Sequence, residues 1–315
     1  ILPPLSLIKT SCLNRVIHLD WEQELFPAFH LYKKARCDIE KNKINRSSWS
    51  SAYHKKLIDD GVKIGNIISS PRPNQLLLKK KQKNINLNTP VDFYFPLNFS
   101  AVFLKDDQIK ARINLGMDKE SYLYYIHISN KVFKKFCSDI CHFALKNQNS
   151  SIVIRPHPLE SKLYYRNCIS NHNKNKLPSN ISIDDSLTVW DWVLVSKTVI
   201  SNWSTVLYDC HLINKSVYVY YPFNIRDEYR IPVLKDLPHV DNLNDCKPYD
   251  TKTYINEDTI SFDNYFNHII KMCNSNDYIK LRFNFKNIIT IIKRKILKYL
   301  IKYLGFRNER IIDII

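Results

Sequence analysis

Two short segments contain side chains that can bind anions, and regular secondary structure is expected to end at both of them. Residues 155–158 read Arg-Pro-His-Pro, and residues 201–205 read Ser-Asn-Trp-Ser-Thr. A guanidinium, an imidazole and the N–H groups at the start of a helix are the donors that phosphate oxygens need. The alternative is purely structural: Arg155 pairs with a carboxylate, His157 holds a turn, and Ser204 and Thr205 only cap a helix.

Both segments follow predicted strands. The β-branched runs at 152–154 and 198–200 are typical of buried strands, and the prolines beside His157 prevent regular structure from continuing. Ser204 and Thr205 are predicted to cap a helix over 206–213. Open parallel sheets bind their ligands beyond the carboxyl ends of the strands. We therefore expect both segments to face one crevice.

The elements that position these segments alternate between strand and helix. Residues 91–95 predict a strand that ends at Pro96, so the loop with Asn98 occupies the same kind of position. Residues 130–146 predict an amphipathic helix, and 217–221 the last clear strand. Alternation from 91 to 221 favours parallel strands joined by right-handed crossovers, which is a doubly wound domain.

The N-terminal region repeats this pattern on a smaller scale. Residues 15–19 and 64–69 predict strands, and 49–60 predicts a helix that Gly61 ends. We expect an α/β protein with two Rossmann-like domains and a central cleft. The predicted divisions are an N-terminal domain at 1–78, a basic linker at 79–90, a second domain at 91–260 and a helical segment at 261–315. The first domain is short for a full Rossmann unit, so we expect it to be either trimmed or partial.

Composition excludes several classes of site. Four glycines cannot form a Gly-rich phosphate loop, and eight dispersed cysteines form no metal-binding set, which favours a reducing cytoplasm. The net charge of +17 is spread along the chain without a nucleic-acid-binding motif. We therefore expect no metal and no nucleic acid, and an anionic lipid, glycan or nucleotide as partner.

A basic amphipathic helix is predicted near the C-terminus. Isoleucines and leucines alternate with lysines and Arg294 across 284–303. Such a helix either lies on an anionic membrane or packs on its own domain with a solvated face. The first alternative predicts a cytoplasmic protein that is peripheral at the inner face of the plasma membrane.

The order of the motifs resembles that of a known group of proteins. Residues 95–99, 154–158, 184–186 and 199–205, with Trp190 between the last two segments, resemble bacterial surface carbohydrate biosynthesis proteins. These are similar to glycosyltransferases of the GT-B type, and distantly to Kdo-transferring capsule enzymes and teichoic-acid glycerophosphotransferases. Residues 18–24 resemble the N-terminal segment of that group. The chain departs from it at Asp209, where a glutamate is common.

The resemblance implies a metal-independent transferase that takes a sugar from a nucleotide-sugar donor, with a CMP-linked acid sugar as one candidate, and needs no cofactor. The acceptor would be a glycan or lipid-linked surface polymer. The general base would come from Asp20, Glu22 or Glu24, with Glu22 slightly preferred. The alternative is that these three acids only offset the dipole at a helix N-terminus. Asp209 would hold the ribose, and His157 would also act in catalysis. The residues assigned to the donor phosphates are Arg155, His157, Ser204, Thr205 and Asn98.

Two other functions use the same elements. A glycerophosphate transferase would need the same phosphate-binding groups, and product analysis would separate it from a glycosyltransferase. A non-catalytic scaffold would still bind nucleotide or glycan, but replacing the three acidic residues at 20–24 would not change turnover.

Overall fold

The computed structural model describes residues 17–18, 45–48, 51–59, 61–69, 78, 91–114 and 117–247. All of them fall within one compact unit, Ile1–Tyr265. The predicted linker at 79–90, the helical segment at 261–315 and most of the predicted domain at 1–78 lie outside the described residues. The division into two domains therefore stays a prediction.

A small parallel sheet lies near the N-terminus. Its strands are β1 (Ile17–His18), β2 (Asn45–Ser48) and β3 (Ile67–Ser69), in the order β1-β2-β3. Helix α1 (Ser51–Asp59) follows β2, and Gly61 ends it with a φ of 83°, as predicted. At this φ a glycine carries no Cβ penalty, which explains its place after the last helical residue. The predicted strand at 64–69 is a 3-10 turn, Ile64–Asn66, followed by β3.

The main sheet has six parallel strands in the order β6-β5-β4-β7-β8-β9. In chain order, the strands of this sheet are therefore arranged 3-2-1-4-5-6, the arrangement of a Rossmann domain. The predicted doubly wound domain is confirmed. The strands are β4 (Val91–Pro96), β5 (Ile152–Arg155), β6 (Ile181–Ile183), β7 (Ser196–Ser201), β8 (Ser216–Tyr220) and β9 (His239–Val240).

Five further helices connect these strands, and the longest supplies much of the core. Phe143 and Phe136 of α3 pack against Phe93 and Phe95 of β4, with ring centroids 5.0 and 5.8 Å apart. The spacing of Cys137 and Cys141, four residues apart on this helix, predicts that both pack inward, and their burial confirms it. The helices are α2 (Asp106–Asn114), α3 (Lys119–Lys146), α4 (Lys162–Ser170), α5 (Val189–Val195) and α6 (Val206–Leu212).

Three sequence predictions for this domain were wrong in detail. The Asn- and Lys-rich sequence after residue 158 predicts a loop, but this stretch contains α4, whose N-terminus is capped by the side chain of Ser161. The Asp-Asp-Ser sequence at 184–186 predicts a cap for the next helix, yet Thr188 caps α5 through a capping box with Asp191. Residues 217–221 are predicted to form the last clear strand, but β8 at 216–220 is followed by a further parallel strand, β9.

Candidate functional site

The order of the main sheet reverses between β4 and β7, so the carboxyl ends of these two strands form its topological switch point. The first connection from β4 leads to β5 on one side, while β7 begins the other half of the sheet. In open α/β sheets this switch point is where ligands bind. The three loops that follow β5, β4 and β7 therefore lie side by side, as the sequence predicted for residues 155–158, Asn98 and residues 201–205.

Side chains and backbone tie the β4 loop to the β7 loop. Ser201 donates a hydrogen bond from Oγ to the carbonyl of Pro96. The Asn98 side chain donates from Nδ2 to the carbonyl of Trp203 at 3.3 Å, and its Oδ1 accepts from Ser100 Oγ at 3.0 Å. Asn98 thus lies where the sequence predicted, and it holds the β4 and β7 loops together.

Trp203 anchors the β7 loop in the core. Its ring is 1% exposed, and Nε1 donates to the carbonyl of Tyr229 at 2.9 Å. The ring also packs edge-on against Phe99, with centroids 6.2 Å apart. From the sequence, Trp203 is predicted to belong to the core or the cleft wall, with base stacking as the alternative, and its burial confirms the first.

Arg155 ends β5 beside the β4 loop. Its Cα pairs with that of Pro96, and its carbonyl accepts from the Leu97 N–H at 2.9 Å. The guanidinium donates from Nη1 to the carbonyl of Leu187 at 2.6 Å. A guanidinium has five N–H donors, so this bond leaves others that can reach an anion.

Glu160 joins the loops after β4 and β5. Its Oε1 accepts from the Phe99 N–H at 2.5 Å, while Oε2 accepts from the His157 N–H at 3.1 Å and from the Tyr165 hydroxyl at 2.7 Å. Burial raises the pKa of Glu160, and these three hydrogen bonds oppose the rise. Sequence reasoning missed this residue, although its position three residues after His157 is suited to closing a turn.

The His157 ring contacts the backbone of its own turn. Nδ1 accepts from the Leu159 N–H at 3.3 Å. An imidazole whose Nδ1 accepts in this way carries the proton of its neutral form on Nε2.

The β7 loop leads into α6. Ser204 and Thr205 are half-buried just before this helix, which begins at the predicted residue and ends one residue before the predicted boundary. The predicted cap differs, because the Thr205 side chain makes no capping hydrogen bond. Asp209, one turn later, is fully buried, and its role with a ribose stays a prediction.

The structure therefore brings together Asn98, Arg155, His157 and residues 201–205 at one edge of the sheet. Asp20, Glu22 and Glu24 lie outside the described residues, so the predicted base stays a prediction. Sequence reasoning also left Asn202 without a role, although it stands inside one of the two motifs.

Among the residues that the structure describes, no three His, Cys, Asp or Glu side chains are placed to hold a metal ion. None of the helices described above is both long and apolar enough to cross a membrane.

Comparison with known proteins gives only distant similarity. No protein-family model matches the sequence, and no curated protein matches it. Among solved structures, the UDP-N-acetylglucosamine 2-epimerase from Rickettsia bellii is similar with a TM-score of 0.38 and 12% identity, over 84% of this chain and 62% of that chain. The wall teichoic acid polymerase TagF is similar with a TM-score of 0.37 and 16% identity, over 81% of this chain and 59% of that chain.

The chain spans about three fifths of the length of these two structures. Likeness at these scores is too weak to carry a function from one protein to another.

Proposed function

We propose that this protein is a transferase that binds a nucleotide-activated donor between β4 and β7 and moves its sugar, or a glycerophosphate group, to a surface polymer. The observation that carries the proposal is the 3-2-1-4-5-6 order of the main sheet, with polar loops bonded to each other at the point of reversal. Nucleotides bind at this point in open α/β sheets.

Transfer from a nucleotide donor creates negative charge on the departing phosphate. Fixed donors aimed at that charge lower the barrier. Arg155 supplies a permanent positive charge whose position is set by its bond to Leu187, and His157 supplies a proton on Nε2. Arg155 ends β5 and His157 follows it, next to the β4 loop, so they can act on the same group.

The β7 loop supplies the other side of the proposed phosphate site. Ser204 and Thr205 are accessible there, and their hydroxyl groups can donate to phosphate oxygens. The Asn98 side chain is already hydrogen-bonded to Trp203 and Ser100. Its proposed contribution is therefore to hold the β4 and β7 loops at a fixed spacing.

The acceptor hydroxyl needs a base on the opposite side of the cleft. We keep Asp20, Glu22 and Glu24 as the candidates, and Asp209 for the ribose. The donor is a nucleotide-sugar, with a CMP-linked sugar as one candidate, and residues 284–303 are proposed to lie on an anionic membrane that presents the acceptor. These roles come from the sequence resemblance.

A thermal-shift screen tests the proposal. The full chain is heated with CMP, CDP, UDP, GDP and ADP, because a ligand that binds only the folded state raises the melting temperature. We expect one base to stabilise the chain, and the stabilisation to be lost in Arg155→Ala. No shift with any nucleotide would refute the proposal.

Product analysis then separates the reactions. The activated donors of the stabilising nucleotide are incubated with a membrane extract, and the polymer is analysed by mass spectrometry. Transfer of sugar or of glycerophosphate identifies the reaction. Binding without turnover, unchanged by replacing residues 20, 22 and 24, would mean a nucleotide-binding scaffold instead.

A further inference from the structure

Asn202 is buried but its side chain is not bonded. The residue is 1% exposed, and neither Oδ1 nor Nδ2 has a hydrogen-bond partner in the part of the chain that the structure describes. Burying an amide without partners is unfavourable. Buried polar groups in native proteins are nearly always paired, so an unpaired carboxamide calls for an explanation.

The position of Asn202 places it at the switch point. It is the first residue beyond β7, and both of its neighbours are bonded to the β4 loop, Ser201 to the carbonyl of Pro96 and Trp203 through Asn98. The unpaired amide therefore lies between the two bridges that join the loops of the proposed nucleotide site.

Other buried side chains of the described residues also have unpaired polar atoms, among them the hydroxyls of Thr198 and Ser216. These two residues are register partners at the third residue of β7 and the first of β8, away from the carboxyl ends. Asn180 lies at the amino end of β6, and its Nδ2 donates to three carbonyls, those of Ala144, Asn147 and Ser150, at 3.0–3.2 Å. Asn180 is thus bonded in a structural role, whereas both polar atoms of the Asn202 side chain are unpaired.

The missing partners define a ligand chemistry. A carboxamide has N–H donors on one side and a carbonyl acceptor on the other, so a complete partner must both accept and donate. Phosphate oxygens without protons only accept and would leave Oδ1 unpaired. Two neighbouring hydroxyl groups satisfy both ends, because each hydroxyl donates and accepts.

We propose that Asn202 binds a pair of neighbouring hydroxyl groups of the donor, either on the ribose or on the transferred group. The inference rests on the proposed function, since it takes the donor to lie between β4 and β7. At 1% exposure the carboxamide meets hydroxyl groups only after the residues over it shift, so the contact forms as the donor binds.

The test compares two asparagines. Asn202→Leu keeps the branch at Cγ and removes only unbonded polar atoms, so its melting temperature should equal or exceed that of the parent chain. Asn180→Leu removes three hydrogen bonds and should melt several degrees lower. Asn202→Ala is measured as well, because it avoids any conflict of shape.

Calorimetric titration with the nucleotide that stabilises the parent chain gives the second readout. We expect Asn202→Leu and Asn202→Ala to weaken binding of the nucleotide or of its complete donor about tenfold, the loss of one good hydrogen-bonded contact. Asn180→Leu should bind as the parent chain does below its melting temperature. Inorganic pyrophosphate, which has no hydroxyl pair, should bind all the chains equally.

A 2′,3′-dideoxynucleotide separates the two sources of hydroxyl groups. If the parent chain binds it about as weakly as Asn202→Leu binds the normal nucleotide, Asn202 contacts the ribose. If it binds normally and Asn202→Leu is impaired only with the complete donor, Asn202 contacts the transferred group. Either result supports the proposal.

Three results would overturn it. Unchanged affinity of both Asn202 variants for nucleotide and complete donor would refute the role of Asn202 and leave the proposed function standing. A fall in melting temperature as large as that of Asn180→Leu, in both Asn202 variants, would show a structural residue. If the parent chain binds no nucleotide at all, the proposed function fails and this inference fails with it.

Discussion

Replacing Glu160 with glutamine should separate the β4 and β5 loops. The carboxylate accepts three hydrogen bonds, two of them from backbone N–H groups. Glutamine has one acceptor oxygen, so in either orientation its NH₂ group faces at least one backbone donor, that of Phe99 or that of His157. Leaving a buried donor unpaired costs about 1–3 kcal/mol, and the lost bond was to a charged group. We expect a loss of about 2–3 kcal/mol in the free energy of unfolding.

Tyr165→Phe is the matched control. It removes only the third hydrogen bond, from the buried hydroxyl to Oε2, and leaves the carboxylate bonded to both backbone donors. Its expected cost is about 1 kcal/mol. Urea denaturation of the two variants measures both losses. Equal stability of Glu160→Gln and the parent chain at neutral pH would refute the reasoning, as would a larger loss in Tyr165→Phe.

The pH dependence gives an independent check on Glu160. Burial raises its pKa, so between the ordinary carboxyl value of about 4.3 and the raised value the folded chain holds a proton that the unfolded chain has released. The stability of the parent chain relative to Glu160→Gln should therefore fall as pH rises through this window. A relative stability that rises with pH there would mean that the hydrogen bonds outweigh burial.

Three further predictions use other residues. Arg155→Ala should weaken nucleotide binding at least about tenfold in calorimetry, and unchanged affinity would exclude Arg155 from the site. A hydrogen bond from Cys137 lowers the pKa of Cys168 to about 6. Alkylation of Cys168 by iodoacetamide should therefore reach half its maximal rate near this pKa. Cys137→Ala removes the hydrogen bond and should move the midpoint of the rate against pH to a higher pH. Lys215→Met removes the half-buried ammonium that donates to the carbonyls of Leu194 and Ser196 at 2.9 and 2.7 Å. It should lower the urea midpoint by the equivalent of about 2 kcal/mol, and an unchanged midpoint would contradict this.

The elements with strong apolar patterns could be predicted from the sequence. The strands at 152–155 and 196–201 and the core of α3 follow from runs and periods of buried side chains, and chain alternation gave the parallel sheet. The position of the crevice follows from these elements, because both motifs directly follow predicted strands.

The polar elements could not be predicted in this way. Strand β2 consists of Asn-Arg-Ser-Ser at 45–48, all buried, and it has no apolar signal. Helix α4 begins in a stretch of mixed polar residues, and its ordering depends on packing, such as the full burial of Tyr165. Tertiary contacts override weak local preference in both elements.

The contacts of the candidate site were also beyond the sequence. Glu160 binds backbone groups of residues 99 and 157, and its partner Phe99 is 61 positions away along the chain. Asn202 is notable for bonds that it lacks, and only the surroundings of a side chain can reveal that.

Hydrogen exchange would show where on the main sheet a nucleotide binds. Amide exchange of the full chain is measured by mass spectrometry with and without the nucleotide that stabilises it, since exchange reports opening segment by segment. A nucleotide between β4 and β7 should slow exchange at 97–100, 156–160 and 202–206. It should leave exchange unchanged at 147–151 and 213–216, at the amino ends of β5 and β8. Protection confined to those amino-end loops, with none at 97–100 and 202–206, would contradict a nucleotide site between β4 and β7.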